Sequence, residues 1–373
     1  MINFIAVTDG GQKTRANAFI NLFRKYDIDS TLIILRRKNT LSFCNSIPNV
    51  RVIDVSISNT IFRPWFRLLW ENINLRFIVR RIQPDIYLSF SHYLPTAISK
   101  KIISIIGVTN LAPFTPLALT NEKYLMRAKM KLLSYSIISS AKKATHVIAL
   151  SKLCKKTLIN KGVKNKNITV INNGAYRASK TNTVPPLVAS VIEENFFLYV
   201  SSFFPYKNFD VLIKAYSLLP KEIINNFQLV LIGTVQDKSY FKELKALVSI
   251  LNINDRVVFI PEVPREELDY FYINTALFIF PSLIENCPNI LLEALSFGCP
   301  VLCSSAKPMP EFGGDAVKYF NPNSTSSLHK VLLTTINNQS LLKRMSKQSK
   351  KRSKIYSWNI FTKSVIDLIK EIR

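Results

Sequence analysis

Short apolar runs alternate with longer stretches of mixed polarity along almost the whole chain. In the first half the runs are INFIAVT, STLIILRR, DIYLSF, THVIALS and ITVINNG. In the second they are FFLYVSS, FQLVLIG, RVVFIP, ALFIFPS and PVLCSS. Their apolar residues are continuous rather than alternating, which predicts parallel strands buried on both faces, joined by helical crossovers. The pattern predicts an α/β protein with two doubly wound parallel sheets. It breaks at YRASKTNTVPPLVASVIEEN, Tyr176–Asn195, where polar residues and a Pro-Pro pair mark a linker. The expected division is a domain over 1–185, a second over 186–352, and a closing amphipathic helix within 353–373 that carries IFTKSVIDLIKEIR.

Size agrees with that division, since 373 residues suffice for two domains of ordinary dimensions. The opening MINFIAVTDGG reads as a strand ending in a glycine turn, so no secretory signal is expected. No apolar run is long enough for a membrane span. Five cysteines, Cys44, Cys154, Cys287, Cys299 and Cys303, are odd in number and lack CxxC spacing, which suits a reducing cytosol.

Charge changes the picture more. The formal net charge is +26, and residues 1–180 hold 29 Lys and Arg against 7 Asp and Glu, whereas residues 181–340 hold 11 against 15. A basic first half beside a mildly acidic middle predicts a polyanionic partner for one part of the molecule only.

The acids of the second half are placed unusually. In PSLIENCPNILLEA, Glu285 and Glu293 flank a predicted helix start after the strand ALFIF. Pro288 suits the first helical position, and Gly298 is the expected stop. The N–H groups of Asn289 and Ile290 would then offer a phosphate site, with carboxylates nearby to accept hydrogen bonds from sugar hydroxyls. The alternative is an ordinary capped helix with a solvent-facing glutamate. A second strand–loop–helix, FFLYVSSFFPYKNFDVLIKAYSLL, places Lys207 and Asn208 at its junction, where an ammonium is a natural counterion for a diphosphate.

Taken in order, these segments resemble the retaining glycosyltransferases of family 4. The stretch DRVVFIPEVPREELDYFYINTALFIFPSLIENCPNILLEALSFGCPVLCSS, then MPEFGGDAVKYFNP, follows that family's pattern, as do HVIALSKLCKKTL and ITVINNG upstream and SWNIFTKSVIDLIKEI at the end. The resemblance is strongest over Phe197–Pro322. It implies the GT-B fold, two Rossmann-like domains facing a central cleft, with a last helix crossing back to the N-terminal domain. It also implies Glu285 and Lys207 as catalytic groups, with Glu293 on the nucleotide ribose. Asn289, Ile290, Asn286, Ser202 and Asn208 then belong to donor binding. The favoured chemistry of the family is same-face displacement without a protein nucleophile.

Three departures stand out. Ser202 replaces the family's common arginine, Asn286-Cys287-Pro288 replaces Gly-Phe-Gly, and Thr109-Asn110 stands where many relatives carry a histidine. Proline has no N–H, so one backbone donor is lost at 288. In the first half, His92 in SFSHYLP is a candidate acceptor contact or proton relay, with a structural histidine as the alternative. Gly10, Gly11 and Asn110 are candidates for an acceptor loop. Asp27–Asp29 imitates a metal-binding DxD but lies in a predicted turn, so no metal and no other cofactor is expected.

Lys123, Arg127 and Lys131 recur at helical spacing with Tyr124 and Tyr135 beside them, and IFRPWFRLLWENINLRFIVRRI mixes arginine with large aromatics. An anionic membrane surface fits both segments, and a solvated helix face is the alternative for either alone. Together with the resemblance, the membrane reading implies as partners a nucleotide sugar (GDP-mannose or a UDP-hexose), an undecaprenyl-diphosphate-linked saccharide of O-antigen type, and the inner face of a bacterial plasma membrane, met from the cytoplasm. A non-catalytic GT-B relative is the alternative. A basic nucleic-acid binder is a further one, but zinc-finger spacing and RRM-type aromatics are absent, so no nucleic acid is expected.

Overall fold

The computed structural model describes residues 1–7, 10–26, 30–38, 40–41, 50–56, 63–115, 124–176, 192, 195–260 and 262–373. It has two compact units, Met1–Gly174 with Trp358–Arg373, and Ala175–Ser357. The expected linker around residue 185, Asp27–Asp29, Cys44 and Lys123 lie outside the described residues.

The first unit is built on a seven-stranded sheet: β1 (Ile2–Asn3), β2 (Leu32–Arg37), β3 (Val50–Val55), β4 (Ile86–Ser89), β5 (Ile103–Val108), β6 (His146–Ala149) and β7 (Ile168–Val170). The order is β3-β2-β1-β4-β5-β6-β7, with every pairing parallel. The strand expected from INFIAVT is two residues long, although Phe4, Ile5 and Val7 beyond it stay buried. The helix Gly10–Phe23 follows, so Gly10 and Gly11, expected in a loop, instead open a helix. The terminal helix Trp358–Ile372 packs in this unit, with the Phe361 ring edge-on to Phe19 at 6.4 Å and 5.7 Å from Phe90.

The second unit holds a six-stranded sheet: β8 (Phe196–Val200), β9 (Gln228–Ile232), β10 (Val257–Ile260), β11 (Leu277–Phe280), β12 (Val301–Ser304) and β13 (Lys318–Phe320). The order is β10-β9-β8-β11-β12-β13, again parallel throughout. Every residue of β8, β9, β11 and β12 is buried, as continuous apolar runs require. In both sheets the chain starts mid-sheet, winds one way, then returns to wind the other. The order therefore reverses between β1 and β4, and between β8 and β11. Open α/β sheets bind ligands at the carboxyl ends of such paired strands. In the second unit those ends lead into the loops that carry Lys207 and Glu285.

Candidate active site

After β8 the chain runs through Ser201 and Ser202 into a one-turn helix, Pro205–Lys207, which ends at Asn208 in the left-handed conformation (φ 64°). Asparagine tolerates that region better than most residues. Asn208 is buried, and its side-chain amide donates to the carbonyl oxygens of Pro281 (3.1 Å) and Pro322 (2.8 Å). One side chain thus ties the loop after β8 to those after β11 and β13. The Leu283 N–H donates to the Tyr206 carbonyl at 2.9 Å, and the buried Tyr199 hydroxyl donates to the Lys207 carbonyl at 3.0 Å. Sequence reasoning placed Asn208 in donor binding. Its amide is instead engaged by backbone, so its part is to brace the loops.

This bracing brings Lys207 and Glu285 together. Lys207 Nζ lies 2.6 Å from Glu285 Oε1, and the two side chains are 16% and 14% exposed. Ser282 Oγ donates to the same carboxylate oxygen at 2.9 Å. Burial works against the Lys207 ammonium, but Glu285, with Tyr206, lifts it above the usual lysine value. The ammonium also sits 5.1 Å from the Tyr206 ring centre. Cys303 on β12 is fully buried, and burial, with the Glu285 charge second, keeps its thiol neutral. Sequence reasoning missed Ser282, although the S-x-x-E spacing was the available signal.

The helix Asn289–Phe297 begins just beyond, with Pro288 immediately before it and Gly298 (φ 79°) ending it in the left-handed conformation that glycine favours. The expected stop is met, and the start falls one residue later than expected, since Pro288 (ψ 80°) precedes the first helical residue instead of occupying it. The Asn289 N–H, expected to be free, donates to the Cys287 carbonyl at 2.9 Å, because the chain turns tightly through Pro288. Ile290 holds the second helical position, where an N–H has no acceptor within the helix. Asn286 is buried. Glu293 is half-buried, and its Oε2 accepts from the Tyr272 hydroxyl at 3.3 Å. Tyr272 is held in turn by stacking on Phe297, with centroids 5.0 Å apart.

Ser202, at the arginine position of the resemblance, shares a hydrogen bond with Thr234 (Oγ to Oγ1 3.1 Å). Gly233 makes this approach possible, since a Cβ there would overlap the Ser201 carbonyl.

In the first unit the remaining candidates follow adjacent strands. His92 follows β4 in a left-handed conformation (φ 54°), and its Nδ1 is buried without a hydrogen-bond partner. Burial, with the Arg67 charge second, lowers the imidazole to about 4, so it is neutral at neutral pH. Asn110 follows β5, and its Oδ1 accepts from the Ala112 N–H at 2.9 Å, so it shapes its own turn. Among the described residues no group of three or more His, Cys, Asp or Glu side chains could hold a metal ion.

An ammonium, a carboxylate and a helix start at the switch point of a parallel sheet define an α/β domain suited to a ligand with both anionic and hydroxyl groups. Residues 188–352 match the family described as Glycosyl transferases group 1, and residues 9–176 match Glycosyltransferase Family 4. The chain belongs to these glycosyltransferases, and its two parallel-sheet units are those of the GT-B class. It is 29% identical over 178 residues to the O-antigen chain mannosyltransferase B of Escherichia coli, covering 48% of this chain and 46% of that one. The chain spans about half the length of the curated relatives it matches, as with an uncharacterized glycosyltransferase of Haemophilus influenzae, 28% identical over 54% of each. Among solved structures, Anabaena Alr3699/HepE in complex with UDP and glucose aligns with a TM-score of 0.74 at 17% identity, covering 99% of this chain and 98% of that one. WaaG, a glycosyltransferase involved in lipopolysaccharide biosynthesis, aligns with a TM-score of 0.74 at 15% identity over 99% and 98%.

Proposed function

We propose that the protein is a retaining, metal-independent glycosyltransferase that moves a hexosyl residue from a nucleotide diphosphate sugar to a lipid-linked diphosphate saccharide in O-antigen synthesis. The observation that carries this is the Lys207–Glu285 pair at the carboxyl ends of the two strands flanking the switch point. The O-antigen mannosyltransferase relatives favour GDP-mannose as donor, and the UDP-bound neighbour keeps UDP-hexoses in the test panel.

In the proposed reaction the bond between sugar C1 and the β-phosphate oxygen breaks while the acceptor oxygen bonds to C1 on the same face. The acceptor proton passes to the departing phosphate. Negative charge grows on the diphosphate as it leaves, and Lys207 with the start of helix 289–297 stabilises it there. Glu285 faces the reacting sugar and Glu293 accepts from the ribose hydroxyls. His92, kept neutral, is available as a proton relay or acceptor contact. The basic first half holds the protein at the inner surface of an anionic membrane, where such an acceptor resides.

Pure protein is incubated with a panel of nucleotide sugars and a lipid-linked acceptor. Transfer that retains anomeric configuration, survives a chelator and falls sharply in Lys207→Ala and Glu285→Ala is the expected result. Wild-type turnover in both variants removes the site assignment.

A further inference from the structure

The helix Arg63–Ile82 of the first unit has an inner and an outer line of side chains. Glu71, Leu75 and Val79, four residues apart, are buried at 0%, 0% and 7% exposure. Leu69, Ile73 and Phe77 recur at the same interval on the other side and are 57%, 55% and 66% exposed. They form an apolar ridge about 12 Å long at the rise of an α-helix. Arg76, Arg80 and Arg81 stand exposed at its end. The helix Tyr124–Lys143 also exposes Leu132 (56%) and Tyr135 (74%), beside exposed Arg127, Lys129 and Lys131.

These helices make the β3-to-β4 and β5-to-β6 connections, which run the same way across the sheet. Right-handed crossovers therefore put both on one face. Leu94 packs against the hydrophobic clusters beneath both. Together the two helices contain ten basic residues and one acid, Glu71, which is buried. An exposed apolar ridge edged by arginines, whose long stems let the charge sit higher than the ridge, is the pattern of a helix lying in a bilayer interface.

We propose that this face docks on an anionic bilayer, with Leu69, Ile73 and Phe77 entering the headgroup layer and Arg76, Arg80 and Arg81 pairing with lipid phosphates. A second copy of the chain fits less well, because neither helix shows an exposed acid to receive the other copy's guanidinium groups. The inference rests on the membrane reading above and not on the transfer chemistry.

The test is co-sedimentation of the full chain with vesicles containing phosphatidylglycerol, against phosphatidylcholine alone. Wild type is expected to bind the anionic vesicles. Arg76→Gln, Arg80→Gln and Arg81→Gln combined are expected to lower partitioning on the order of 100-fold, and Phe77→Ser alone roughly tenfold, with circular dichroism and thermal unfolding unchanged. Nucleotide-sugar binding, measured in parallel without vesicles, is expected to be unaltered in these variants, so failure of the surface and failure of the donor site read out separately. The proposal is overturned if wild type does not bind anionic vesicles, or if the variants bind as wild type does. It is equally overturned if the ridge variants change only a monomer–dimer equilibrium seen by light scattering.

Discussion

The two sheets are wound alike, yet their switch points are furnished differently. Between β8 and β11 an ammonium and a carboxylate meet at 2.6 Å, each still about 15% exposed. Beside β1 and β4, by contrast, the carboxylate Glu71 is wholly buried and accepts from Asn3 Nδ2 at 2.9 Å, while Asn3 also donates to the Tyr87 hydroxyl at 2.8 Å. Burial first raises the Glu71 carboxyl, and His92, after β4, is held neutral. The first unit carries its surplus charge outward on helices, and the second keeps the Lys207–Glu285 pair at strand ends. The same topology thus supplies a place for chemistry without deciding which chemistry occupies it.

The contrast can be broken most directly at Lys207. Lys207→Ala is expected to lower kcat/KM for the nucleotide sugar by roughly 10²–10³-fold, as loss of a preorganised group facing developing charge usually does. Steady-state kinetics decides this, and undiminished turnover would erase the distinction between the units.

His92 sharpens the other side. Its imidazole falls from 6.5 to about 4 on folding, so the unfolded chain takes up the proton first as pH drops. Its contribution to stability is complete above pH 6.5 and is lost as the pH falls through about 4, by up to about 3 kcal/mol. Denaturant melts across that window are expected to be flatter for His92→Gln than for wild type.

Asn208→Ala strands two carbonyls and places alanine at φ 64°, and is expected to cost roughly 2–3 kcal/mol in thermal unfolding. Asn208→Gly, which relieves only the backbone, should recover part of it. Smallest is Gly298→Ala, about 1 kcal/mol, since φ is 79° there and a Cβ would meet the Lys350 side chain. An effect near zero would mean that the helix end relaxes freely.

Much of this was written locally in the chain. Continuous apolar runs marked the buried strands, and a proline before and a glycine after marked the ends of helix 289–297. The strands β3 and β13 were not legible as such runs. Both are sheet edges, where one side is solvated and charged residues such as Arg51, Asp54 and Lys318 are tolerated. The role of Asn208 was hidden for another reason, because its partners lie 73 and 114 residues away. Likewise Lys207 and Glu285 were read as contacts to separate parts of a donor, and only the folded loops show them paired. The ridge on helix 63–82 was hidden because arginines and large apolar residues are interleaved along that segment. Its direction becomes known only once Glu71, Leu75 and Val79 face inward.

The closeness of Lys207 to Glu285 has a consequence for which anions the proposed donor site accepts. The lysine already has an internal rival for any visiting anion, supplied by the protein and one negative charge strong. A chloride or acetate offers no more than that rival does, and must first displace it. On the proposed function, a pyrophosphate brings charge enough to win the exchange, and its arrival would release the glutamate to receive a hydroxyl. In that reading, admission of the nucleotide end and exposure of an acid to the sugar are two halves of a single swap.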